Sequence, residues 1–138
     1  DTGICVDLVK GHHNLGISSE NGYIVPLDCG ATGKTLLAAQ SDELVERLIQ
    51  NYPGLEEKLR NQVKEIRQRG YCISEGEVDE GVAAVAVPLP MPDHIYTLTY
   101  SGPVERLRGL DYMVLVHSLQ QAVKNILLKC DGKRKEAL

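Results

Sequence analysis

Hydrophobic and polar positions along the chain follow two periods. Leu44, Val45, Leu48 and Ile49 fall on one face of a helix, as do Leu55, Leu59, Val63 and Ile66, and later Val116, Leu119, Val123, Ile126 and Leu127. These stripes predict helices after Ser41, over residues 55–69 and over residues 110–129. Ser41 is placed as an N-cap with Asp42 and Glu43 in the first turn, where acids suit the helix dipole. Pro53-Gly54 ends that helix. In the next one, Glu56 and Glu57 stand at the start, Arg67 and Arg69 at the end, and Gly70 is placed for a left-handed C-terminal residue. Residues 30–40 also have helix composition.

Between the helical stretches the pattern is extended. Residues 4–9 form a β-branched run that predicts a strand, and residues 15–18 predict a second after the polar stretch 10–14. Asn21-Gly22 marks a turn, and Pro26 keeps residues 23–25 extended. Residues 71–73 are extended and lead into an acidic loop over 74–81. Residues 82–89 are almost wholly apolar, which predicts a strand covered on both faces and stopped by Pro88, Pro90 and Pro92. Residues 95–100 alternate and predict its antiparallel partner, with Ser101-Gly102-Pro103 as the break. The fold class is α+β, an antiparallel sheet flanked by helices.

A length of 138 residues suits one domain, and the absence of Phe and Trp makes its core aliphatic. The net charge of −4 argues against a nucleic-acid grip by this segment. Its one basic cluster, Lys133, Arg134 and Lys135, lies in residues 130–138, expected to be a solvated tail. No apolar run approaches the roughly 20 residues of a membrane span. The four cysteines form no CxxC pair, which fits reduced thiols in the cytoplasm rather than a zinc site or disulfide staples.

Asp28-Cys29-Gly30-Ala31-Thr32-Gly33-Lys34-Thr35 ends like a phosphate-binding loop. That motif needs a glycine where Asp28 stands, and a carboxylate there repels phosphate. The physics beneath it still favours a small anion. A helix start offers unpaired N–H groups, and Gly30 and Gly33 allow close approach to the backbone. Ser74, Thr99 and Ser101 are hydroxyl donors beside strand ends that suit a ligand carboxylate. Adjacent His12 and His13 would point to opposite faces of a strand, and His94 and His117 lack ligands at metal spacing. The acidic run Glu75 to Glu80 lacks the spacing of a calcium loop and is expected to be solvated. Nothing in the sequence calls for a metal or a cofactor. Cys29 is the one candidate nucleophile for an alternative enzymatic reading.

Four ordered blocks resemble the C-terminal domain of IclR-type transcription regulators. They are Pro26-Leu27-x-x-x-Ala31-x-Gly33-Lys34-x-Leu36-Leu37-Ala38, Ile66-Arg67-Gln68-Arg69-Gly70-Tyr71, Gly76-Glu77-x-x-x-Gly81-Val82-x-x-x-Ala86-x-Pro88, and Ser101-Gly102-Pro103. The resemblance covers residues 1–129 and implies a GAF-like effector-binding domain. Such a domain follows a winged helix–turn–helix, which this chain lacks, and opens with a further helix and strand that are clipped here. It implies a dimer or tetramer, DNA contact only through the missing domain, no membrane, no catalysis, and a small organic acid as effector. Carried onto this chain, the effector meets the backbone of Ala31 and Thr32, the polar side chains Ser74, Thr99 and Ser101, and Ala84 in the pocket wall. Asp28 replaces a common His, Ser74 a frequent acid and Ala84 a frequent Cys, and the hairpin loop at 88–93 is short, so the effector stays unnamed. The alternatives are an oligomerisation module with a vestigial pocket, or a small hydrolase using Cys29.

Overall fold

The computed structural model describes residues 2–12 and 20–137. The two short strands β1 (Gly3–Ile4) and β2 (Ile24–Val25) pair antiparallel. Three helices follow, α1 (Ala31–Ala38), α2 (Asp42–Ile49) and α3 (Glu56–Arg69). The main sheet is β3 (Cys72–Glu75), β4 (Val82–Pro90) and β5 (Ile95–Pro103), antiparallel in that order. The chain closes with α4 (Val104–Leu110) and the long α5 (Tyr112–Glu136). The architecture is α+β, as expected.

The helix signals act where they were read. Ser41 Oγ accepts from Leu44 N–H at 3.3 Å, capping α2. Gly70 closes α3 in the left-handed region, φ 80°, with its N–H on the Ile66 carbonyl. Both helices bury most of the expected stripe, Val45, Leu48 and Ile49, then Leu59, Val63 and Ile66, while Leu44 is half-buried and Leu55 exposed.

Strand β4 is covered on both faces because its side chains alternate between two cores. Ala83, Val85 and Val87 join Leu107, Leu115, Val116 and Leu119 beneath α4 and α5. Ala86 joins Cys72 and the apolar faces of α1, α2 and α3 on the other side. The molecule thus has three layers, with the sheet in the middle.

Several boundaries differ from the sequence reading, β3 among them, which takes in Ser74 and Glu75 where a loop was expected. Pairing of β1 ends at Ile4, and Val6 and Val9 are exposed (66% and 93%), since a β-branched run holds as a strand only where another strand pairs with it. Strand β4 runs through Pro88 to Pro90. Beyond Ala86, β3 no longer pairs with it, so a proline there removes no bond from that ladder. Strand β5 likewise runs through Ser101 and Gly102 to Pro103, after which α4, absent from the reading, packs Leu107 onto Gly102. A β-carbon on Gly102 would lie 2.8 Å from Leu107 Cδ1, so this glycine permits contact where it was read as a break. Helix α5 continues to Glu136, past the expected end at Lys129 and into the basic segment. The strand expected at residues 15–18 lies outside the described residues.

Candidate effector site at the start of α1

The loop before α1 brings the chain hard against its own backbone. Gly33 sits so close to Pro26 that a β-carbon would fall 1.7 Å from the Pro26 carbonyl oxygen. Its role is thus packing against Pro26-Leu27, where the sequence suggested approach by a ligand. Gly30 precedes the helix at φ 74°, a conformation that costs other residues energy.

Opposite this helix start lies one face of the main sheet. Register places Ser74, Ala84 and Ser101 in one row across the three strands, and Cys72, Ala86 and Thr99 in the next. Paired residues share a face, and Ala86 and Cys72 pack with Ala31 of α1. All six residues singled out from the sequence therefore converge: Ala31 and Thr32 on the helix, Ser74, Ala84, Thr99 and Ser101 on the facing strands. Two pairs among them are hydrogen bonded. Ala31 N–H donates to the buried Ser74 Oγ at 2.9 Å, and the hydroxyls of Thr32 and Thr99 lie 2.9 Å apart. Ala84 is half-buried and Ser101 exposed.

One residue of this site was not anticipated. Glu77, in the acidic run expected to be solvated, folds back onto α1. Its Oε2 accepts from Gly30 N–H at 2.8 Å and its Oε1 from Lys34 Nζ at 2.8 Å. Lys34 is only 4% exposed. Burial alone would raise the Glu77 carboxyl, but Lys34 and the Gly30 amide outweigh it and hold the group below the ordinary range. A buried ammonium needs a carboxylate close by, so the lone cation in an apolar helix was the signal for Glu77. In a phosphate loop that lysine would reach for a nucleotide; here it is spent on Glu77.

Glu75, at the start of the acidic run, is also tied down, while Asp79 and Glu80 are exposed. Glu75 accepts from Arg108 Nη2 at 2.7 Å and Nε at 3.0 Å, and from the Tyr112 hydroxyl. These bonds, Arg108 first and then Tyr112, pull the Glu75 carboxyl down to about 2. The Cys29 thiol is pushed up by burial and by the nearby carboxylates of Asp28 and Glu77. It stays protonated, which is the wrong state for a nucleophile. Among the described residues no group of three or more His, Cys, Asp or Glu is placed to hold a metal ion.

Two cavities open elsewhere. One of about 340 Å³ lies between the hairpin tip at Pro90, Met91 and Pro92 and the far end of α5. Another, about 70 Å³, borders Lys34 on its α3 side. The six site residues line neither; Ala31 bonds to Ser74 and Thr32 to Thr99.

An antiparallel sheet with helices on both faces makes the fold GAF-like. The chain matches the bacterial transcriptional regulator IclR C-terminal family over residues 1–128 and belongs to it. No curated protein sequence matches the chain. Among solved structures, it is similar to the IclR of Thermotoga maritima, with TM-score 0.81 and 22% identity over 93% of this chain and 56% of that one. It is also similar to a double mutant of the PobR transcription factor inducer-binding domain from Acinetobacter, in complex with 3-hydroxybenzoic acid. There the TM-score is 0.66 and the identity 26%, over 78% of this chain and 68% of that one. The chain thus spans little more than half of the Thermotoga maritima protein. It is an IclR-family C-terminal regulatory domain, and these relatives are transcription regulators. Among the described residues no helix is long and apolar enough to cross a membrane.

Proposed function

We propose that the domain senses a small organic acid and passes the binding event to an attached winged helix–turn–helix in a cytoplasmic, dimeric or tetrameric regulator. The observation that carries this reading is the convergence of Ala31, Thr32, Ser74, Ala84, Thr99 and Ser101 between one helix start and one sheet face. Backbone N–H groups at a helix start favour an anion, and hydroxyls beside them orient it. The hydroxybenzoic acid in the PobR complex supports an acid as the ligand class.

The test is a thermal-shift screen of aromatic and aliphatic acids, with their amides as controls. A ligand present at a hundred times its Kd stabilises a domain by about 2.7 kcal/mol. An acid is expected to raise Tm and its amide to leave it unchanged. No shift with any acid at millimolar concentration would sink the reading.

A second reading is favoured by one observation. The Gly30 and Ala31 amides and the Thr32 hydroxyl already bond to Glu77, Ser74 and Thr99. A domain that only mediates oligomerisation would keep such a site shut. It predicts an oligomer whose mass and stability respond to no acid.

A further inference from the structure

The described contacts between the β3–β4 loop and α1 are made by Glu77 and Val78. Glu77 carries the two hydrogen bonds to Gly30 and Lys34. Val78 Cγ2 lies 2.7 Å from where a β-carbon on Gly30 would stand. The neck of the loop is closed by Gly76 N–H on the Val82 carbonyl at 2.8 Å. Gly76 and Gly81 flank it at φ 64° and 76°, and Glu77, Val78, Asp79 and Glu80 between them are exposed. Glycines at both ends can absorb a hinge rotation at little cost.

We propose that residues 76–81 are a lid over the start of α1, and that Glu77 is its latch. The carboxylate is a tethered anion that holds Gly30 N–H and the Lys34 ammonium. An acid that enters the site takes over these donors and frees the loop. The identity of the incoming acid rests on the effector reading above; the latch does not.

The buried cation makes this more than a surface ion pair. Lifting Glu77 away leaves the buried Lys34 without its hydrogen-bonded carboxylate, so the open lid is disfavoured while no other anion takes that place. An incoming carboxylate removes that penalty, so it binds the open form better than the closed one. Such a difference in affinity is what a ligand needs in order to shift a population. Glu77 also arrives on a loop, which can move, whereas Lys34 sits on a helix packed into the core.

Amide hydrogen exchange, read residue by residue by NMR, tests the latch on the domain with no acid added. Glu77→Gln is expected to speed exchange about tenfold or more at Gly30, whose N–H Glu77 holds, and at Val82, whose N–H closes the loop on the Asp79 carbonyl, and to leave Ala83 to Val87 of β4 unchanged. Glu77→Asp, one methylene shorter, should fall between. The double variant Lys34→Met/Glu77→Gln removes the buried cation together with the latch. It should show the same local change even if Glu77→Gln alone does not fold. Unchanged exchange at Gly30 and Val82 in the folded double variant, or an equal rise throughout β4, overturns the latch. With 3-hydroxybenzoate as probe, protection of Gly30 together with faster exchange at Val82 supports the swap, and protection of both overturns it. Failure of every acid to bind wild type and Glu77→Gln alike overturns the effector reading instead, so the two failures are distinguishable.

Discussion

The two faces of the β3–β4–β5 sheet solve different problems with the same strands. Beneath α4 and α5, Ala83, Val85, Val87, Leu107, Val116 and Leu119 make an aliphatic core without a buried polar group among them. Toward α1 the sheet presents Cys72, Ser74, Ala84, Ala86, Thr99 and Ser101, small or hydroxylic throughout. Dispersion and burial hold the first face. The second joins the apolar core of α1, α2 and α3 through Cys72 and Ala86 and adds matched polar pairs, Ala31 with Ser74, Thr32 with Thr99 and Lys34 with Glu77. Apolar contact is non-directional and tolerates volume-conserving change. Hydrogen-bonded pairs break one at a time, and each can be exchanged for a ligand atom. The two faces therefore differ in how contact is made, apolar throughout on one and partly polar on the other.

The contrast can be broken by substitution. The largest effect is expected from Gly33→Ala, because the new methyl would overlap the Pro26 carbonyl and no flexible side chain can yield. A loss of about 3 kcal/mol or more is expected by urea denaturation. Leu107→Ala on the opposite face removes a fully buried side chain and should cost about 3 kcal/mol, with acid binding unaltered. Equal damage to acid binding from Leu107→Ala would blur the division between faces. Ser74→Ala strips the acceptor from Ala31 N–H and should cost about 1 kcal/mol. Its measurable signature is weaker binding of any acid that stabilises the wild type.

A milder perturbation is pH. The folded-state carboxyls of Glu77 and Glu75 lie below their unfolded value of 4.5, Glu75 at about 2. On acidification the unfolded chain takes up protons first, so their stabilisation is complete above about pH 5 and is lost from there down toward pH 2. Denaturation midpoints measured across that range should fall, and the Glu77→Gln domain should fall less. The smallest effect is expected from Arg60→Gln, which breaks a solvent-exposed pair with Glu46. Its change in Tm should vanish at high salt.

Elements with local signals were legible in the chain. Ser41 and Gly70 mark the ends of α2 and α3 through their own side chain or backbone, with no help from distant residues. The apolar run of β4 announced burial on both faces. Helix α4 was hidden because Ser101-Gly102-Pro103 reads as punctuation, while in the fold Gly102 is a contact that Leu107 fills. Proline 88 misled in the same way, its tolerance depending on where β3 stops pairing. At the candidate site, the resemblance named six residues that the fold brings together, though period and composition alone left them scattered. Glu77 was lost in a run of acids whose members differ only in what lies opposite them across the fold.

Strand alternation also joins the two faces mechanically. Ser74 turns toward α1, while its neighbour Glu75 clamps Arg108 and Tyr112 at the root of α5. That helix has 25 residues and is therefore about 37 Å long. As a rigid lever pivoting at Tyr112, it moves its last turn by about 0.6 Å for each degree of tilt. A shift at Ser74 too small to see in the strand itself would be magnified at the far end of the domain.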